Sequence, residues 1–495
     1  MPSLIILSAA TLAATYILLR ALAYLKHNAR EPTYVVGSVP FITHLVGMLT
    51  QGGRYYVRMR FVVNSLQTLQ RIDRHILTVA FSPIQARACA TTMGVSRAGM
   101  ATIAGEKQLT EDGYLRSLPR SFAAGTSPGA GLDQLNRSAI ANFATSFDDQ
   151  WTNRGRVTVK LYDWIRHELF SATTNAIYGP HNPFRRRENE EAWFTFESSI
   201  FTSLQARDRL VCELRRYFEA DHHLEASQFV QLRYEHNAEF GLSLDDTART
   251  EIGQVAAGIV NSVPSAFWMV WQVFSDPVVY ADCRREVEQL LVTTDATNGT
   301  GTPMIDIAQV RTRCPILVST WQEVMRFHGI STAARIVQED TMVDDQFLLK
   351  KGGVVLMPNA VIHSDESLLG PTAGQFNHKR FVKGQGPQTT TRHPATAFRD
   401  FGGGHVLCPG RHFASTEILG LVALLLVRFD IRPVGGGQWT LPSTHNAMDR
   451  AVPLLKKDVV VELVPKGPPK LHVVFSDSNS GINIVAEDSI ANDGQ

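Results

Sequence analysis

Paired cysteines are missing from this chain. Its five cysteines, Cys89, Cys212, Cys283, Cys314 and Cys408, are odd in number, scattered and never spaced as C-x-x-C. That excludes a disulfide framework and a zinc site of the usual spacing, and it fits a reducing compartment. An excess of charge is missing too: 48 Lys and Arg face 47 Asp and Glu, a formal charge of +1. Nothing here suits a polyanion such as nucleic acid. There is no internal repeat. What the chain does have is 44% hydrophobic residues over 495 positions. That suffices for a large buried core, in two or three ordinary domains or in one large catalytic domain with appendages.

Two further absences decide the reading of particular segments. The first apolar run has no basic residue before it, as a cleaved secretory signal would. Residues 3–19 carry no charge, and after Arg20 the apolar character resumes through Leu25. A membrane span needs roughly 20 such residues, and Arg20 can snorkel toward an interface. Arg20, Lys26 and Arg30 follow the run, so the positive-inside rule leaves the body of the chain on the cytoplasmic side. Residues 3–25 therefore read as a transmembrane signal anchor rather than a cleaved peptide, and the sequons at Asn136 and Asn298 as chance matches. The second absence concerns Gly125-Thr-Ser-Pro-Gly129, which has the spacing of a serine-hydrolase elbow. That chemistry uses the backbone N–H after the serine as an oxyanion donor. Pro128 has none, and no β-branched strand precedes it, so this is a loop.

Past a Pro/Gly-punctuated linker beginning at Glu31, helical periodicity dominates to about Ser331, with polar breaks near 124–131, 178–183 and 293–303. From 334 to 363 the pattern changes to short β-rich pieces, with Gly352-Gly353 as a turn before Val354-Val-Leu-Met357. A loop-rich stretch, 370–399, precedes a long helix over Arg411–Arg428. The fold class expected is mainly α with a small β component. One large catalytic domain, 26–465, follows the anchor, and 466–495 forms a polar, acidic, disordered tail.

The chemistry concentrates in Phe401-Gly-Gly-Gly-His-Val-Leu-Cys-Pro-Gly-Arg-His-Phe-Ala414. It puts Cys408 at the tip of a glycine-rich turn, ahead of an apolar helix. Gly402, Gly403 and Gly404 permit φ > 0 and close backbone approach. Pro409-Gly410 opens the helix, whose N-terminal dipole favours a thiolate. The pattern F-x-x-G-x-x-x-C-x-G resembles the haem-binding signature of the cytochrome P450 superfamily. Upstream, Trp321-Gln-Glu-Val-Met-Arg326 sets Glu323 and Arg326 at i, i+3 on one helical face. Phe376-Asn-His-Lys-Arg-Phe381 supplies Arg380, similar to the family's aromatic-x-x-x-Arg-Phe element. Alone, an E-x-x-R pair is a common helix-surface pair; in this order it matches the family's buried triad of Glu323, Arg326 and Arg380.

Two departures narrow the resemblance. Ala256-Ala-Gly-Ile-Val-Asn-Ser-Val-Pro264 is similar to the family's A-G-x-x-acid-Thr segment, with Asn261-Ser262 in place of the acid–threonine pair. Asn cannot supply a proton but can position water; Ser262 keeps the hydroxyl. Pro264 removes a backbone hydrogen bond and is expected to kink the helix. Val406 stands where most members carry a base that pairs with a haem propionate. Both features, with Ala266-Phe267-Trp268, resemble the sterol 7α-hydroxylase and prostacyclin-synthase branch, in a chain of filamentous-fungal style.

The resemblance implies the cytochrome P450 fold and a haem b whose iron takes Cys408 as thiolate ligand, with Phe401, Gly404, Arg335 and His412 as cofactor contacts. Arg335 is the first choice for a propionate, then His412, with Arg137 behind them. It implies Asn261 and Ser262 as catalytic residues and a flavoprotein reductase bringing electrons from NADPH. Lys379, Arg380, Lys383, Arg399 and Arg411 are the basic residues that would steer that partner. The substrate implied is lipophilic, a terpenoid, steroid or polyketide-like molecule of specialised metabolism, with Phe267, the 330–334 turn and the 98–103 region at its pocket. The setting is the endoplasmic reticulum membrane, single-pass, with a monomeric catalytic domain in the cytosol. The competing readings are a reductase-independent haem-thiolate isomerase or dehydratase acting on a peroxide, and a non-catalytic haem-binding protein.

Overall fold

The structure is a computed structural model. It describes residues 2–28, 30–32, 39, 42–43, 46–47, 78–105, 110–153, 155–199, 202–293, 302–382, 398–403, 407–445, 450–468 and 470–476. The principal helices used below are α1 (Pro2–Lys26), α2 (Ala130–Asn153), α3 (Leu161–Tyr178), α4 (Arg187–Ser198), α5 (Leu244–Ile259), α6 (Ser262–Ser275), α7 (Pro315–His328) and α8 (Arg411–Arg428).

Helix α8 lies at the centre. Every residue from His412 to Arg428 except Ala414 is buried, as expected of a helix that is apolar all round. Gly420 is what lets α2 reach it: a Cβ there would stand 2.1 Å from Cδ1 of Ile140, so only glycine allows this approach. Helix α6 is buried from Ser262 to Phe274 and packs on α3 and α7. Trp268 Nε1 donates to the Pro453 carbonyl at 2.8 Å, and Trp321 Nε1 to Ser415 Oγ at 3.3 Å, which ties α7 to α8.

The strands form small sheets at the edges of this helical body. Val79–Ala80 and Val354–Pro358 flank Thr332–Val337 in an antiparallel sheet, with Arg335 opposite Val355. Val157–Lys160, Val460–Pro465 and Phe429–Pro433 form a second. The hairpin of Thr341–Val343 and Phe347–Leu349 holds the exit of α1: the Leu348 N–H donates to the Arg30 carbonyl and Lys350 Nζ to the Lys26 carbonyl, each at 2.7 Å.

Over Leu7–Lys26, α1 is long and apolar enough to cross a membrane, with mean hydropathy 1.4. Its Thr11 and Thr15 hydroxyls donate to carbonyls four residues back, so neither needs water. Leu7, Leu12 and Ile17 stand fully open to the surroundings.

The C-terminal boundary is corrected. Residues 466–476 do not begin a tail: His472–Val474 pairs in parallel with Pro303–Asp306, Leu471 is buried, and the Ser476 N–H donates to Asp306 Oδ1 at 3.1 Å. The apolar run Leu471-His-Val-Val-Phe475 supplies the side chains that a strand against the core requires. The rest of the expected tail, 477–495, lies outside the described residues. Asn136 is 3% exposed inside α2, so that sequon is closed to modification.

Candidate active site

The turn before α8 sets the geometry around Cys408. Gly402 has φ +89°, a conformation that β-carbon crowding discourages in other residues. Its N–H donates to the Arg399 carbonyl at 2.9 Å, and the Cys408 N–H reaches back to the Phe401 carbonyl at 2.8 Å. Gly403 serves a different purpose from the turn: a Cβ there would meet the Arg399 guanidinium at 2.6 Å. Gly404, His405 and Val406 lie outside the described residues. The Cys408 thiol is open toward an internal cavity and otherwise enclosed by protein. Burial pushes its pKa up, while the Gly410 and Arg411 N–H groups and the Arg411 charge pull it down.

Behind the loop, Glu323, Arg326 and Arg380 meet as expected. Arg326 donates to both oxygens of Glu323 at 2.7 Å, and Arg380 Nε to the same oxygens at 3.1 and 3.0 Å. The remaining guanidinium N–H groups bind the chain around them. Those of Arg326 reach the carbonyls of His363, Ala373 and Gln375. Those of Arg380 reach the carbonyls of Leu369, Thr372 and Gln375 and the Thr372 hydroxyl. All five donors of each guanidinium are used. The triad is a satisfied, buried network that organises the irregular chain between 363 and 377, whose carbonyls have no sheet to pair with.

On the same cavity as Cys408, the expected long helix is interrupted at Val260 and Asn261, both of which keep helical backbone angles. It stops at Ile259 and restarts at Ser262, as α5 and α6. Pro264 has no N–H for the Val260 carbonyl, and Arg450 Nη1 takes that place at 3.3 Å. Asn261 Oδ1 accepts the Ala451 N–H at 2.9 Å. Both Asn261 and Ser262 line the cavity.

That cavity measures about 250 Å³. Phe122, Leu135, Ile177 and Phe229 give it apolar walls, and Phe401 and Cys408 lie on the side facing the helix break. The pocket expected around Phe267 is corrected. Phe267 is 0% exposed and packs on Tyr162 and Trp268 at 5.8 and 5.4 Å, because α6 turns that face into the core. Neither 330–334 nor 98–103 reaches the wall. Arg335 and His412 are buried but stand outside the cavity wall as well. Arg335 donates to the Ala334 carbonyl and lies over the Phe81 ring. Arg137 turns away, pairing with Asp133 at 2.8 Å and covering Phe475. Of the basic cluster, Arg380 and Arg399 are buried and cannot face a partner, and Lys383 lies outside the described residues.

Sequence reasoning missed three groups. Asp400 lines the cavity, makes no hydrogen bond among the described residues, and lies 3.8 Å from His363 Nδ1. Burial holds its carboxyl well above the usual range despite the Arg326 charge. His363 is pushed down to about 3 by burial and by Arg326 and Arg399. The place of Asp400 next to Phe401 was a readable signal. Glu417 accepts from Thr173, and Arg450 and Ala451 reach the helix break; those contacts join distant segments and left no local pattern.

A family model described as cytochrome P450 matches residues 168–454. The chain belongs to the cytochrome P450 family. It is similar to cytochrome P450 monooxygenase nodJ of Hypoxylon pulicicidum, 30% identical over 84% of this chain and 86% of that one. It is also similar to rat (Rattus norvegicus) 25-hydroxycholesterol 7-alpha-hydroxylase, 28% identical over 37% of this chain and 47% of that one. The likeness to sterol 7α-hydroxylases read from the helix-break segment is therefore present. The retinoic-acid-bound cyanobacterial CYP120A1 shares the fold at TM-score 0.59, with 18% identity, over 80% of this chain and 88% of that one. This P450 is an enzyme of the monooxygenase type. The family implies haem held by a cysteine thiolate, and the residues fit. Cys408, open to the cavity ahead of α8, is the residue that would hold its iron. A buried thiol facing the cavity is also one that a coordinated cation would deprotonate.

Proposed function

We propose that this P450 inserts one oxygen atom of O₂ into a C–H or C=C bond of a lipophilic terpenoid, steroid or polyketide-like substrate in specialised metabolism. The observation that carries this is Cys408 opening into an apolar-walled cavity opposite the Asn261–Ser262 break, with the Glu323 triad behind it. Cys408 would hold the haem iron, with Phe401 and Gly404 as cofactor contacts; Arg335 and His412, buried outside the wall of this cavity, would meet the propionates beyond it. Thiolate-ligated haem supplies O₂ activation and O–O cleavage. The chain's own part is positional. Phe122, Leu135, Ile177 and Phe229 keep water out and orient an apolar substrate. The Ser262 hydroxyl makes no hydrogen bond to another described residue and faces the cavity, so it can pass a proton at its Oγ.

Electrons come from NADPH through a flavoprotein reductase, which Lys379 and Arg411 would help to steer. The apolar helix α1 supports a setting at the endoplasmic reticulum membrane, single-pass, with a monomeric catalytic domain in the cytosol. The test is the spectrum of the reduced, CO-bound protein. A band at the thiolate position is expected, together with NADPH-dependent product; Cys408→Ser should abolish the band. Turnover of a hydroperoxide with none on NADPH would instead assign a peroxide isomerase or dehydratase, and an absent band in the unmutated protein would sink the haem reading altogether.

A further inference from the structure

We propose that Arg450 is a positioning residue: with the Ala451 N–H it clips the break between α5 and α6 so that Asn261 presents its Nδ2 amide hydrogens, and not its oxygen, to the cavity. The inference rests on the haem-thiolate reading above and adds a polarity to the cavity that neither the family nor the motif assigns.

The argument starts from a missing donor. Pro264 cannot bond the Val260 carbonyl, and a buried carbonyl left without a partner costs about 1–3 kcal/mol. Arg450 Nη1 supplies that partner at 3.3 Å and is itself held by Glu197 of α4 at 3.3 Å, in an ion pair shielded from solvent on both sides. One residue further on, the Ala451 N–H lies 2.9 Å from the Asn261 side chain. A backbone N–H only donates, so the atom facing it must be the carboxamide oxygen. This fixes the amide: Oδ1 is spent on the clip and Nδ2 is left for the cavity. The segment cannot drift, because the Ala451 carbonyl accepts the Ile330 N–H at 2.8 Å and the Pro453 carbonyl accepts Trp268 Nε1 at 2.8 Å.

Two consequences follow for the site. Asn261 is a fixed donor, so it favours an oxygen acceptor, such as a hydroxyl or carbonyl oxygen of the substrate. A carboxamide cannot give up its hydrogen at neutral pH, so Ser262 is the proton-passing group at the break. Arg450 acts only through Asn261.

The C–O stretch of the reduced, CO-bound holoenzyme tests this, since a donor and a lone pair near the bound gas move it in opposite directions. Asn261→Asp can still accept from Ala451 but turns an acceptor oxygen to the cavity; its stretch is expected to rise relative to the unmutated enzyme. Arg450→Met should broaden and shift the stretch in the Asn261 enzyme and leave it unmoved in an Asn261→Ala background, the non-additivity expected of residues acting as one unit. Arg450→Lys, which keeps charge and a donor, should restore part of the unmutated position and serves if Arg450→Met does not fold. A second readout needs no haem: Asn261→Leu should speed hydrogen exchange in the peptide holding Ala451 by roughly tenfold. An unchanged stretch in Asn261→Asp, an Arg450→Met shift that persists in Asn261→Ala, or unchanged exchange in Asn261→Leu overturns the proposal. Loss of the thiolate band in the unmutated enzyme would instead overturn the haem reading, with the exchange result still deciding the clip.

Discussion

Glu417 is a residue whose environment changes its chemistry. It sits in the buried helix α8, 1% exposed. Its Oε1 accepts the Thr173 hydroxyl at 2.7 Å, while Oε2 has no hydrogen bond among the described residues. Burial pushes its pKa up to about 8, against the pull of the Thr173 bond. The carboxyl is thus neutral in the folded protein at pH 7. An unfolded Glu titrates near ~4.3, so the folded state binds the extra proton between that value and about 8. The stability this group permits is full below the lower value and falls as pH rises through the window, by up to about 1.4 kcal/mol per pH unit, then levels off. Glu417→Gln keeps the Thr173 acceptor and removes the titration. Its thermal midpoint should match the unmutated protein at about pH 4 and below and exceed it increasingly toward pH 8. Parallel midpoints across that range would show that Glu417 titrates normally.

At the scale of elements, the triad shows how a local motif becomes a joint between segments. Glu323 and Arg326 share a face of α7 by spacing alone. Arg380 joins them from 57 residues away. Glu323→Gln leaves two guanidinium groups buried without their counter-charge, and breaking a buried pair in this way costs about 3–5 kcal/mol. The expected outcome is little or no haem-loaded protein, read as the amplitude of the thiolate CO band per milligram of chain. Full occupancy with an unchanged thermal midpoint would mean the three charges are not coupled as drawn. The helix break is the opposite case. Pro264 announced the disturbance and frees the Val260 carbonyl four residues back, but the donor that meets that carbonyl, Arg450, comes from 190 residues along the chain.

At the scale of the molecule, the described fold runs from α1 to a last strand at His472–Val474. That strand covers Leu471 and pairs with Pro303–Asp306. A chain ending at Lys470 should lose the burial of Leu471, on the order of 1.5–3 kcal/mol, along with the Ser476–Asp306 contacts. A lowered thermal midpoint, by about 2 °C or more, is expected, with the CO band position unchanged. A chain ending at Ser476 should behave like the full length. Equal midpoints for the two truncations would show that the strand adds nothing to the fold.

The sequence by itself determined the class of this protein. Cys408 in its glycine turn, the i, i+3 pair of Glu323 and Arg326, Arg380 in its aromatic frame and the apolar run at the N-terminus are all short-range patterns, and short-range patterns survive in one dimension. Only the tertiary structure decided what surrounds them. It turned Phe267 into the core and brought Phe122 and Phe229 to the cavity. It buried Arg380 and Arg399 away from any partner, and it set Ala451 against the Asn261 amide. Each of those outcomes depends on which helix faces which across tens or hundreds of residues, and on buried polar atoms finding partners wherever the packed chain happens to offer them.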